Sequence, residues 1–114
     1  MYAKSHEIML GGAWTNVISY PGTLIVEVMG KLSVTEECGA LLFWHWPDVH
    51  HLDPAVLPPN VEVALISLSG QVVEVWEPGA EVIEPRHPYV AAAVMPAGWF
   101  DQNCTSSRCS LDLD

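Results

Sequence analysis

Short apolar, β-branched runs set off by turn residues dominate this chain, and few stretches carry a helical period. WTNVISY (14–20) reads as a strand, and Pro21-Gly22 turns it into TLIVEVM (23–29), which reads as a buried strand. KLSVTEEC (31–38) is ambiguous, with Ser33 or Thr35 able to cap one helical turn that carries Glu36 and Glu37. GALLFW (39–44) returns to strand character. Pro47, Pro54, Pro58 and Pro59 then predict a long ordered loop over most of residues 46–60. Residues 61–68 and 71–77 form two strand-like runs parted by Ser69-Gly70, a β-hairpin in which Gly70 supplies the positive φ of a tight turn. Alternation puts Val73, Val75 and Glu77 on one face of the second run, and Val72, Glu74 and Trp76 on the other. Three prolines make residues 78–88 loop, YVAAAVM (89–95) is the last strand, and PAGWFDQNC begins a short helix.

These elements predict a single domain over residues 1–114, with 1–12 a flexible arm or an added edge strand and 105–114 a frayed tail. The fold class is mainly β with minor α (α+β): a small antiparallel, partly closed β-barrel with one or two short helices. No internal repeat interrupts this reading.

Composition narrows the function classes. Fourteen acidic residues stand against four basic ones, a formal charge of −10. Binding to nucleic-acid phosphates is therefore not expected, because few cations exist to release counterions. An acidic surface suits solubility, a basic partner, or mimicry of nucleic acid. No apolar run reaches membrane-spanning length, and MYAKSHEIMLGGAW lacks the apolar core of a secretory signal, so the chain is read as cytoplasmic. Cys38, Cys104 and Cys109 are odd in number. Four residues separate the last two where a zinc pair usually has two between, which favours reduced structural thiols.

The most chemical stretch is HWPDVHH, residues 45–51. A metal needs three or four converging ligands, which on a strand means His-x-His and on a helix a spacing of three or four. His50 and His51 are adjacent, and Pro47 stands between His45 and His50. A loop could still fold His45, His50 and His51 around a divalent transition metal, with His87, Asp48 or Asp53 completing the set. Surface histidines and an Asx-type turn at Asp48 are the plainer account. Trp44 and Trp46, two apart, point the same way in extended chain, as a core pair or a ligand-facing one. VMPAGWFDQN resembles the second motif of cupin barrels, but Asp101 stands where they carry histidine and HWPDVHH lacks their first motif. Neither a nucleophile elbow nor a phosphate-binding glycine loop is present. The acidic pairs (Glu36-Glu37, Glu74, Glu77, Glu81, Glu84) read as solvated faces.

The order GALLF, a proline-ended loop, VEVALISLSGQVVEVWE, a proline-rich loop and YVAAAVMPAGW resembles the family catalogued as domain of unknown function 192. The likeness covers roughly residues 23–104 and is carried by Gly39, Leu41, Gly70, Val72, Val73, Pro96, Ala97 and Gly98, with Glu62 where that family has an aspartate. It implies a small β-rich barrel with a little helix. The family's aromatic-Trp-Met-Lys-Asn-Thr signature is replaced here by HHLDPAV, so the resemblance brings no catalytic residue.

The favoured reading leans away from an enzyme, to a small acidic binding or interaction module without a cofactor. Its partner is a small ligand or a protein, and the chain is a monomer or a homodimer. Loops 45–60 and 78–88 would form the rim of a pocket, with Trp46, His50, His51, Trp76 and His87 as ligand contacts. The rivals are a metal-dependent enzyme or metal-binding barrel using His45, His50 and His51, with His87 and Asp101 as further candidates, and an acidic inhibitor that mimics nucleic acid.

Overall fold

In the computed structural model, residues 4–10, 13–21, 34, 38–50, 57, 60–77, 82–103 and 111–112 are described. Seven strands form one sheet: β1 (Lys4–Leu10), β2 (Ala13–Pro21), β3 (Cys38–Asp48), β4 (Val61–Ile66), β5 (Val72–Trp76), β6 (Tyr89–Pro96) and β7 (Leu111–Asp112). Their order across the sheet is β5-β4-β6-β3-β2-β1-β7. The five-residue helix α1 (Trp99–Asn103) follows β6. Among the described residues no helix is long and apolar enough to cross a membrane. The strand expected over 23–29 and most of the ambiguous segment 31–38 lie outside the described residues.

The fold is mainly β, as the short alternating runs require, but the sheet is mixed rather than antiparallel throughout. β2 and β3 pair in parallel, Ile18 beside Ala40 and Tyr20 beside Leu42. A parallel neighbour needs a crossover longer than a tight turn, and residues 22–37 supply that length. The expected frayed tail also gains order at one point, since Leu111 and Asp112 pair with Leu10 and Met9.

Both faces of the sheet are covered, and β4 is buried at every position. One face gathers Tyr20, Leu42, Val63, Leu65, Tyr89 and Val94, with Trp44, Val73 and Trp76 packed against them. The other gathers Ile8, Leu10, Leu41, Ala64, Ile66, Met95 and Phe100. In that second cluster β1 and β4 share one core although β2, β3 and β6 lie between them in the sheet. The sheet must curl to bring them together, which gives it a half-barrel form. The alanines of β6 allow this: Ala91 and Ala93 face inward on the concave side, where larger side chains would hold the strands apart.

Turns are built as the sequence dictates. Gly70, at φ 89°, donates its N–H to Ser67 at 2.9 Å and closes the β4–β5 hairpin. Beyond it the register shifts between Leu65 and Ile66, so that Val73 is an extra residue on β5. The bulge overturns the expected alternation: Val73 packs on the same cluster as Trp76, and Val72 packs on the opposite one. After β6, Gly98 (φ 86°) turns the chain into α1 and donates its N–H to the buried Glu62 carboxylate at 2.7 Å.

Candidate functional site

The site begins with a second bulge. On β3, Phe43 stands opposite Ala91 and Asp48 opposite Tyr89, so five steps along β3 match two along β6. The surplus residues are pushed out of the ladder. Pro47 sits among them, where its missing N–H leaves no ladder bond unmade. The expectation of loop from residue 46 is thereby corrected: strand character persists to Asp48, in bulged form.

The bulge collects aromatic side chains at one end of the Tyr89 face. The ring of His50 stacks on Trp44, centroids 4.5 Å apart and planes at 9°. Tyr89 meets Trp44 and His50 edge-on, each at 5.3 Å, and Trp46 approaches His50 at 5.6 Å. Hydrogen bonds fix this arrangement. The Tyr89 hydroxyl donates to the His50 carbonyl at 2.6 Å, and His50 Nε2 lies 3.0 Å from the Trp46 carbonyl. Asp48 accepts the N–H of Val49 at 2.7 Å, a local side-chain-to-backbone bond of the expected kind. Trp46 remains 49% exposed on top of this buried footing.

Beside it runs an open cleft of about 340 Å³ lined by Glu74, Val75, Trp76, Arg86 and His87. Glu74 Oε2 accepts three donors: the N–H of Arg86 at 2.7 Å, the N–H of His87 at 2.9 Å, and His87 Nδ1 at 3.1 Å. Burial pushes the Glu74 carboxyl up, but these donors and the charge of His87 outweigh it and hold the carboxyl below its usual value. The ionised carboxylate is acceptor-only, so Nδ1 of His87 carries the proton and donates. Tyr89 links the two parts of the rim. Burial first, then the Glu74 charge, pushes its phenol well above the ordinary range, and the hydroxyl stays a donor. Among the described residues Trp76 Nε1 is buried without a hydrogen-bond partner.

Of the sequence-predicted contacts, Trp46 and His50 touch one another, and Trp76 and His87 line one cleft. His51 lies outside the described residues. The proposed metal trio is not assembled among the described residues. His45 meets Phe43 edge-on at 6.2 Å, on the strand face opposite Trp44, whereas His50 lies over Trp44. No three of His, Cys, Asp and Glu among the described residues converge to hold a metal. The Asp101 side chain lies outside the described residues.

Sequence reasoning missed Tyr89 and Arg86, gave Trp44 no role beyond core or ligand-facing pair, and set Glu74 aside as one acid among many. The signal for Glu74 was available, because it shares the inward face of β5 with Trp76, where a solvated acid does not belong. A second cavity of about 360 Å³ opens on the concave side, walled by Leu41, Phe43, Ile66 and Ala91 with Ser67 and Ser69 at its edge.

Comparison with known proteins shows the fold alone. No family model matches the chain, and no curated protein does either. Two solved structures share its architecture. One is a protein of Sinorhizobium meliloti 1021 described as a "putative transcription regulator", with TM-score 0.71 and 13% identity over 98% of this chain and 95% of that one. The other is a protein of unknown function from Novosphingobium aromaticivorans DSM 12444, with TM-score 0.74 and 11% identity over 96% of this chain and 85% of that one.

Proposed function

We propose that this protein is a small, acidic, non-enzymatic binding module whose recognition site is the rim formed by Trp46, His50, Trp76 and His87. The carrying observation is the ring cluster of Trp44, His50 and Tyr89, held by the Tyr89–His50 hydrogen bond, which presents a half-exposed Trp46 beside a cleft. A rigid aromatic surface binds at low ordering cost, since its rings are already immobilised. Among the described residues no hydroxyl or thiol nucleophile lines the cleft beside the Glu74–His87 pair, which supports the binding reading.

The same reading extends to the whole molecule: a partly closed barrel with one or two short helices, working in the cytoplasm. The curl that joins β1 to β4 supports the barrel. The resemblance to domain of unknown function 192 belongs to the same reading, and Gly98, one of the positions that carry it, contacts Glu62, which stands where that family has aspartate. Nucleic acid is not proposed as a partner, whatever the description of the Sinorhizobium protein, because four cations in 114 residues offer little to phosphates.

The test is amide and indole chemical-shift mapping of the labelled protein against a panel of small aromatic acids, amides and amines. Perturbations are expected at Trp46, His50, Trp76 and His87. Probes that bind but perturb only other surfaces would overturn the proposal.

A further inference from the structure

The cleft's donors and acceptors restrict the ligand, if the rim is the binding site proposed above. Glu74 is only 13% exposed and its Oε2 is already engaged by three N–H groups, so that oxygen is closed to a visitor. His87 is 57% exposed. With Nδ1 donating to Glu74, the other ring nitrogen, Nε2, is the one left to hydrogen-bond a hydroxyl. Arg86 lines the same cleft, and its guanidinium makes no ion pair with a carboxylate among the described residues. A planar fork of donors is complemented by a carboxylate. Trp76 adds an indole to the wall, which is complemented by an aromatic ring.

We infer that the cleft takes a small aromatic hydroxy acid: its carboxylate on Arg86, its hydroxyl hydrogen-bonded to His87 Nε2, and its ring against Trp76. The cleft volume, about 340 Å³, matches the small end of ligand sites. The overall charge of −10 does not forbid an anion. At physiological salt the screening length is about 8 Å, so remote carboxylates count for little and the groups at the site decide. Glu74, Arg86 and His87 are those groups, with Tyr89 close enough to feel the Glu74 charge.

The experiment removes one feature at a time. Mandelate is titrated calorimetrically into the full chain beside phenylacetate (no hydroxyl), mandelamide (no carboxylate) and lactate (no ring). Mandelate is expected to bind roughly tenfold tighter than each of the three. Arg86→Gln should erase its advantage over mandelamide, and His87→Phe its advantage over phenylacetate. Both positions are exposed, and a cooperative urea transition confirms that each variant is folded. If phenylacetate or mandelamide binds as tightly as mandelate with shifts at the same residues, the hydroxy-acid assignment is overturned while the rim survives as a binding site. If mandelate leaves Arg86, His87 and Trp76 unperturbed at about 10 mM, the assignment also fails. The wider reading falls with it only when the whole aromatic panel leaves the rim untouched.

Discussion

Replacing Tyr89 by Phe deletes one oxygen and isolates the bond on which the rim depends. Tyr89 is fully buried, and its hydroxyl joins β6 to the end of the β3 bulge by donating to His50, thirty-nine residues away in sequence. The ring contacts with Trp44 and His50 survive in the variant, because they belong to the six-membered ring. What is lost is the donor, and the His50 carbonyl is left without it. A part-buried carbonyl deprived of its partner costs about 1–2 kcal/mol. For a chain of this length that is a fall in Tm of about 4–8 °C. In urea, with a slope of about 2 kcal/mol/M, the midpoint drops by about 0.5–1 M at unchanged slope. Tryptophan fluorescence follows the unfolding, and the ring resonances of His50 report whether its stack on Trp44 loosens. Tyr89→Ala removes the ring as well and should cost about 3–5 kcal/mol, a large share of the stability of a small domain. A Tyr89→Phe protein within about 0.3 kcal/mol of the parent, well inside the expected cost of a lost partner, with His50 unmoved, would refute the claim that this hydroxyl fixes the rim.

Other perturbations test separate parts of the structure. Glu74 has a folded pKa below its unfolded value, so its contribution is fully present above the ordinary glutamate value of about 4.3 and is lost as pH falls through the lower folded value. Glu74→Gln should therefore be less stable than the parent at neutral pH, and acid titration should bring the two urea midpoints together as pH falls through the lowered folded value. Gly39→Ala should destabilise by about 1–3 kcal/mol, because the new Cβ would overlap the Met95 sulfur and stand 2.9 Å from the Val94 carbonyl oxygen; a thermal melt reads this. Leu65→Ala, at a fully buried position of the strand covered on both faces, should cost about 2–5 kcal/mol in a denaturant titration. Trp76→Phe removes a buried N–H that has no partner among the described residues, and the relief, about 1–3 kcal/mol, offsets the lost packing. Its midpoint should stay close to the parent's, and a large fall would show that the indole N–H is satisfied.

The regular elements were legible because period and punctuation act locally. Runs 61–68, 71–77 and 89–95 each contain an observed strand, and Gly70 turns where Ser69-Gly70 predicts it. Strand partners were not legible. The parallel pairing of β2 with β3 depends on where a sixteen-residue connection delivers the chain, and no local pattern encodes that. The candidate site was half legible for a related reason. Trp46, His50 and His87 could be chosen as residue types on expected loops and Trp76 at the end of an expected strand, but their grouping depends on backbone register, which slips at two bulges. Period-two reasoning assumes one residue opposite one residue, and each bulge violates it close to candidate side chains. At Val73 the slip moves Val73 onto the cluster of Trp76 and leaves Val72 on the opposite one. Between Phe43 and Asp48 it frees enough chain for His50 to fold back over Trp44. The histidine-rich stretch 45–51 looked like a ligand set because its residues are close in sequence. Among the described residues the bulged strand sets His45 against Phe43 and gives His50 to a stack on Trp44, so where each of these two histidines goes follows from strand register rather than from nearness along the chain.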